Sequence, residues 1–143
     1  MSLRRIARMA GYTIKNLREL DDAAVRFGLS PQLEARFAPD DLQCEKTGLS
    51  YQRYAPGFRT PFGHHQREQE ELYVVVSGGG RMKLDDEVRE LRQWDAVRVA
   101  PEVMRAFEAG PEGAELLAFG APRSGPGDGV TVPGWWGDDP EQD

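Results

Sequence analysis

His64, Gln66 and Glu71 are the residues of this chain whose types and spacing point most directly to chemistry. Alternate residues of a β-strand face the same way, so His64 and Gln66 share one face if their segment is a strand. Glu71 follows a charged turn and can lie opposite them on the next strand. Read alone, the three side chains suggest a metal centre. Without a metal, His64 and Glu71 would form an acid–base pair in which the carboxylate orients the imidazole.

The same alternation predicts the neighbours of this polar group. It brings Thr60 and Phe62 to the face of His64, and it brings Tyr73 to the face of Glu71. A few polar groups in an otherwise apolar barrel mouth are the usual form of a small-molecule site. The plainer alternative is that His64 is a hydrogen-bonded barrel residue and that Glu71 is its charge partner, since a buried carboxylate needs one.

A series of short segments separated by turn residues surrounds this cluster. Three glycines at 78–80 predict a corner, and residues 109–113 predict a turn between two strands. Residues 81–91 predict a hairpin with its turn at Asp85 and Asp86. The pattern as a whole predicts an all-β sandwich or barrel. The expected strands lie at 33–38, 48–55, 58–66, 71–77, 81–84, 87–91, 94–100, 104–108 and 114–119.

One short helix is expected before the first strand. Asp22 is suited to the N-cap and Gly28 to the C-terminal end of a helix of about two turns. Val25 and Phe27 are the candidate residues that anchor this helix to the rest of the protein. Pro31 prevents its continuation.

Composition limits the classes of function. The net charge is −6 and the pI is near 5.0, which argues against a nucleic-acid-binding surface. The single cysteine, Cys44, excludes an internal disulfide and favours a reducing compartment. No segment has the pattern of a signal peptide or the length of a membrane span. We therefore expect a cytoplasmic protein of 143 residues that acts on neither nucleic acid nor membrane.

The chain resembles a known family, the cupins. The spacing His64-x-Gln66-x4-Glu71-x6-Gly78 is similar to the first cupin motif, G-x5-H-x-H-x(3,4)-E-x6-G. Gly57 lies one residue further from His64 than that motif prefers. The resemblance covers roughly residues 45–120. It implies a small all-β protein built on the cupin double-stranded β-helix, a jelly-roll barrel, with a short N-terminal helix.

The second cupin motif, G-x5-P-x-G-x-x-H-x3-N, is matched less well. Asp95 and Pro101 occupy its place after the hairpin, while Ala106 and Gly110 stand where the motif has histidine and asparagine. Cupins that bind a transition metal typically use three histidines and one glutamate. Carried over by position, those ligands fall on His64, Gln66, Glu71 and Ala106, and the alanine has no donor atom.

The resemblance therefore implies a barrel whose metal site is degenerate or absent, since transition-metal sites usually have at least three strong protein ligands. The leading hypothesis is an undetermined small molecule bound in the barrel, with no cofactor or a weakly held divalent transition metal. The alternative is a metal-dependent isomerase, decarboxylase or dioxygenase that uses His64, Gln66 and Glu71. The predicted pocket residues are Thr60, Phe62, His64, Gln66, Glu71, Tyr73, Met104 and Ala106.

The chain divides into an N-terminal arm with the short helix (1–32), the barrel (33–120) and a Pro/Gly-rich tail (121–143). Trp135 and Trp136 predict that this tail folds back onto the barrel or onto a partner subunit. Leu72, Val74 and Val76 form an outward apolar stripe that predicts a homodimer. Charged strand faces and turns are expected to hold the arginines at 59, 67, 81, 98 and 105 in solvent.

Overall fold

The computed structural model describes residues 11–123 and 128–137. These residues form one α-helix, a single 3₁₀ turn at Leu17–Glu19, and eight β-strands. The helix and strands are α1 (Ala23–Arg26), β1 (Leu33–Phe37), β2 (Gly48–Tyr54), β3 (Phe62–Gln66), β4 (Glu70–Leu84), β5 (Glu87–Leu91), β6 (Ala96–Val99), β7 (Arg105–Ala121) and β8 (Gly129–Pro133).

All strand pairs are antiparallel, and the sheet curls around one core. The order β1-β2-β7-β3-β8 forms one path, and β4 joins it through β7 while also pairing with β5 and β6. Inward side chains such as Val75, Met82 and Leu116 are almost completely buried. Tyr54 packs edge-on against Phe107, with ring centroids 4.9 Å apart. The predicted all-β barrel with a short helix is confirmed.

Two of the predicted strand breaks are wrong. Residues 78–80 do not form a corner, because β4 runs through them to Leu84, and β7 runs through residues 109–113 without a turn. The two long strands pair along most of their length, with register shifts between Val75 and Ser77 and between Gly78 and Gly80. A Cβ on Gly78 would lie 2.0 Å from the carbonyl oxygen of Gly113. The glycines therefore permit close strand contact at the bend rather than ending a strand.

The short helix is present, but its anchors differ from the prediction. Val25 is 62% exposed and Phe27 is 67% exposed, whereas Ala23 and Ala24 are buried. Asp22 caps the helix by accepting a hydrogen bond from Ala24 N, 3.0 Å away. A helix of four residues has only one narrow inner face, and the small alanines let it lie close to β1.

The C-terminal segment folds back onto the barrel, as predicted. Strand β8, which lies within the segment 121–143, pairs with β3 along its whole length. Trp136 is 5% exposed, with the guanidinium carbon of Arg59 4.5 Å from the ring centroid. Trp135 packs over Gly63, where an added Cβ would lie 2.4 Å from the ring. The sequence expectations for residues 1–10 and 138–143 lie outside the described residues.

The outward face of β4 carries the apolar stripe on which the homodimer prediction depends. Leu72 is 44% exposed, while Val74 and Val76 are half-buried. The association of two subunits stays a prediction. In the described part of the chain, no helix is long and apolar enough to cross a membrane.

Candidate functional site: a polar cluster inside the barrel

A cavity of about 650 Å³ lies inside the barrel, and residues of β1, β2 and β3 line part of it. Apolar side chains make up most of its wall, including Phe27, Leu29 and Phe37 toward the N-terminal segment. Of the eight residues predicted to form the pocket, seven line this cavity: Thr60, Phe62, His64, Gln66, Glu71, Tyr73 and Ala106.

Met104 is the predicted pocket residue that does not line the cavity. It lies in the turn before β7, and its backbone N–H donates to Asp85 Oδ1 at 3.0 Å. The next residue, Arg105, is the one that enters the barrel. Strand β7 begins at Arg105 rather than at Met104, and Arg105 is almost completely buried.

His64, Glu71 and Tyr73 meet at one carboxylate oxygen. The Tyr73 hydroxyl donates to Glu71 Oε1 at 2.7 Å, and His64 Nε2 lies 3.4 Å from the same oxygen. His64 Nε2 also lies 3.4 Å from the Tyr73 hydroxyl. The side chain of His64 is 27% exposed and that of Glu71 is 13% exposed. The predicted association of His64 with Glu71 is therefore present, and a phenol joins it.

Three of the arginines expected in solvent are covered: Arg59 and Arg81 are only 20% and 16% exposed, and Arg105 lies inside the barrel. The side chain of Arg105 is 1% exposed and lines the cavity. Its NH1 lies 3.8 Å from Glu71 Oε1, and its NH2 donates to the carbonyl of Ala100 at 3.1 Å. Within the described residues, Nε and NH1 have no hydrogen-bond partner. One sequence signal could have identified Arg105 as a cavity residue: it directly precedes Ala106, the position at which the cupin motif has a metal-binding histidine.

The pKa directions follow from these contacts. Burial alone would raise the pKa of Glu71, but hydrogen bonds from His64 and Tyr73 and the charge of Arg105 outweigh it and lower that pKa. Burial, together with the adjacent Glu71 charge, raises the pKa of Tyr73 well above its ordinary value. The site therefore combines an ionised carboxylate with a neutral phenol at neutral pH.

The donor set does not fit the transition-metal site that the fold suggests. Among the residues that the structure describes, no group of three or more His, Cys, Asp or Glu side chains is placed so that it could hold a metal ion. Gln66 adds only a neutral amide, and Ala106 adds nothing. Arg105 already provides a positive charge at Glu71, so a metal ion there would be repelled as well as poorly coordinated. His64, Gln66 and Glu71 line the same cavity, and only His64 and Glu71 among them are strong metal donors.

Solved structures of cupin proteins share this architecture. A cupin protein from Bacteroides fragilis has a TM-score of 0.64 and 21% identity, covering 81% of this chain and 88% of that chain. Streptomyces PAC13, a histidine-to-glutamine variant with uridine, has a TM-score of 0.67 and 14% identity, covering 83% and 89%. The salicylate 1,2-dioxygenase of Pseudaminobacter salicylatoxidans has a TM-score of 0.58 and 16% identity, covering 68% and 30%.

No protein-family model and no curated protein matches the sequence. The structural likeness establishes that this protein has the cupin fold, and the predicted resemblance is confirmed at that level. Proteins with this fold include enzymes, such as the dioxygenase, as well as proteins described only as cupins. The fold therefore leaves the activity to be argued from the cavity.

Proposed function

We propose that this protein binds a small organic molecule inside its barrel and that it does so without a metal ion. The observation that carries the proposal is Arg105, a buried guanidinium 3.8 Å from Glu71 in a cavity large enough for such a molecule. Ligand pockets of several hundred Å³ with apolar walls and a few polar groups are typical of small-molecule sites. The cavity has this composition.

The charge balance supports binding without a metal. At neutral pH Arg105 and Glu71 carry opposite charges, and their close approach makes the centre of the cavity nearly neutral. A divalent cation would place two more positive charges beside a guanidinium in a poorly solvated space, which is strongly unfavourable. Hydrogen-bonding groups and apolar surface then remain as the means of recognition.

Two measurements test this proposal. Protein purified without chelator should contain less than stoichiometric Fe, Mn, Ni or Zn by elemental analysis. In a fragment screen monitored by methyl NMR, fragments that bind should change the chemical shifts of Met82 and Leu116, which line the cavity. The methyls of Val88 on the outer hairpin, 43% exposed, provide the control. Stoichiometric metal that is lost in His64→Ala would contradict the proposal and favour the metal-dependent enzyme with His64, Gln66 and Glu71.

A second candidate function is metal-free acid–base catalysis. The partial exposure of His64 favours it, because the imidazole is accessible from the cavity while Nε2 lies 3.4 Å from both Glu71 and the Tyr73 hydroxyl. A carboxylate at that distance can orient the ring. His64 would then remove a proton from a bound molecule.

Isotope exchange distinguishes catalysis from binding alone. In deuterated water, a bound molecule that His64 deprotonates at carbon should incorporate deuterium, detected by NMR or mass spectrometry. His64→Gln should abolish the exchange and change the dissociation constant by less than about tenfold, since most apolar contacts remain. Absence of exchange in the wild-type protein, with the ligand shown to be bound, would leave only the binding function.

A further inference from the structure

Two residues of the cavity wall, Arg105 and Gln66, have buried hydrogen-bonding atoms that lack a partner within the described residues. Arg105 Nε and NH1 are buried donors without a partner, and Gln66 Oε1 is a buried acceptor without one. Arg105 is 1% exposed and Gln66 is 8% exposed, so the described protein leaves both groups largely shielded from bulk water. Buried polar atoms of native proteins are nearly always hydrogen-bonded, and leaving them unpaired is costly. A bound molecule that supplies the complementary atoms would remove this cost.

The two residues line the same cavity from neighbouring strands. Arg105 of β7 is the register partner of His64 of β3, and Gln66 is two residues further along the same face of β3. Both residues also contact one turn. Arg105 NH2 donates to the carbonyl of Ala100, and Gln66 N donates to the carbonyl of Pro101 at 2.8 Å. A small group bound at this end of the cavity would therefore lie beside both residues.

The charge of the site selects a neutral group. Glu71 already lies 3.8 Å from Arg105, so the positive charge of the guanidinium is balanced within the protein. A carboxylate or phosphate would add a negative charge close to Glu71, in a cavity where like charges repel strongly. A carbonyl oxygen accepts from Arg105 without adding charge, and an adjacent N–H donates to Gln66 Oε1.

The rest of the cavity describes the remainder of the ligand. Phe27, Leu29, Phe37, Phe62 and Pro133 add apolar surface to its wall. These side chains favour a flat apolar body. We propose that the ligand is a neutral heterocyclic lactam or imide, whose –C(=O)–NH– edge pairs with Arg105 and Gln66. This proposal rests on the proposed function, since it assumes that the barrel binds a small molecule.

Three probes of nearly equal size test the proposal on the unmodified protein. 2-Quinolone has a lactam edge on an apolar bicyclic body. N-methyl-2-quinolone keeps the carbonyl but lacks the N–H, and 2-naphthoate replaces the lactam with an anionic acceptor. Calorimetry or NMR titration should show 2-quinolone binding at least tenfold more tightly than either analogue. If 2-naphthoate bound as tightly as 2-quinolone or more tightly, the proposal would be wrong and the cavity would be an anion site. If N-methyl-2-quinolone bound as tightly as 2-quinolone, Gln66 would not accept a hydrogen bond from the ligand, and the proposed lactam contact would be wrong.

Two variants with a matched control locate the contact. Gln66→Met keeps the side-chain length but removes the acceptor, and it should abolish the preference for 2-quinolone over its N-methyl analogue. Gln52→Met is the control, because Gln52 also lines the cavity but its Oε1 already accepts from the Tyr54 hydroxyl at 2.7 Å. That variant should keep the preference. Loss of the preference in both variants would contradict a specific lactam contact.

The outcome also separates this proposal from the proposed function. If fragments shift the cavity methyls but 2-quinolone does not bind, the lactam proposal is wrong and the binding function stands. If no fragment shifts these methyls, both are wrong. Arg105→Gln retains amide donors and should keep part of the lactam affinity, whereas Arg105→Met should lose it, provided that NMR spectra show each variant to be folded.

Discussion

Two glutamates of this barrel, each held by arginine, differ in how completely their hydrogen bonds are made. On one face Glu108 accepts from Arg59 Nε at 2.8 Å through one oxygen and from Arg81 NH2 at 2.6 Å through the other. Both guanidinium groups also lie over the Trp136 ring. Inside, Glu71 has only an ion-pair contact with its arginine, and that arginine has two unpartnered nitrogens.

This difference in hydrogen bonding indicates that the Glu108 cluster has a structural role and that Glu71 and Arg105 have a role in binding. At Glu108 both carboxylate oxygens accept from guanidinium groups, and Arg59 also donates to the carbonyl of Gly137, so this cluster fixes the C-terminal segment to the barrel. Arg105 lines the cavity and has buried donors without a partner, a cost that a ligand bound beside it could reduce. Glu71 and Arg105 thus define the part of the barrel where a bound molecule would have the larger effect.

The largest expected effect is on the inner pair. Arg105→Met should destabilise the protein by about 3 kcal/mol, because it leaves the buried carboxylate of Glu71 without its positive partner. The double variant Arg105→Met/Glu71→Leu should recover most of this loss, since no buried charge is then unpaired. Urea unfolding of the wild type, both single variants and the double variant measures the coupling. Additive effects would show that the two residues do not interact.

The outer cluster should respond differently. Glu108→Gln should destabilise the protein by about 2 kcal/mol, since it weakens hydrogen bonds to two charged partners. Ligand binding should change by less than twofold, because Glu108 does not line the cavity. Trp136 fluorescence would report loosening of the C-terminal segment, with Arg98→Gln, at an exposed ion pair, as the control. If Glu108→Gln changed ligand affinity more than it changed stability, the Glu108 cluster could not be called purely structural.

Acid pH should affect the wild type more than Glu71→Gln. The pKa of Glu71 is lower in the folded protein than its ordinary value of 4.5, so the unfolded chain takes up the proton first. The resulting stabilisation is complete above that ordinary value and is lost as the pH falls through the folded pKa. The difference in unfolding free energy between wild type and Glu71→Gln should therefore shrink below pH 4.5. An unchanged difference would show that Glu71 is not held ionised.

The same experiment on an outer glutamate refines the comparison. The pKa of Glu34 is also lowered, because hydrogen bonds from Arg36 and Arg53 outweigh the opposing effect of burial. Glu34→Gln should thus reduce acid sensitivity in the same direction. Ligand should change the pH dependence of the wild type and of Glu34→Gln alike, and should change that of Glu71→Gln less. An equal ligand effect in all three proteins would place the binding site elsewhere.

The smallest expected effect concerns association. If the outward stripe of β4 forms a homodimer, Leu72→Glu should shift the light-scattering mass to that of one subunit while leaving the unfolding free energy of the subunit within about 0.5 kcal/mol. Leu72 is 44% exposed, so the change is tolerated within one chain. A wild-type protein that is already a monomer at micromolar concentration would contradict the homodimer prediction.

Local patterns were enough to predict much of this protein. Alternation along residues 60–76 placed His64, Gln66, Glu71 and Tyr73 on inward faces, and the structure places all four around one cavity. The hairpin at Asp85 has the predicted turn, because a two-residue connection is determined by its own residues. The resemblance to cupins predicted the fold from two motifs, and the structural neighbours confirm it.

What the sequence could not supply depended on contacts between distant residues. Glycines at 78–80 have the composition of a corner, and only the close approach of β4 to β7 makes them part of a bent strand. Arginine side chains are usually exposed to solvent, and only the register of β7 against β3 brings Arg105 to Glu71. Sequence alone thus determined the alternation, the hairpin turn at Asp85 and the missing histidine. The tertiary structure decided that a buried arginine lies in that site, because charge pairing in a barrel depends on which strands are neighbours.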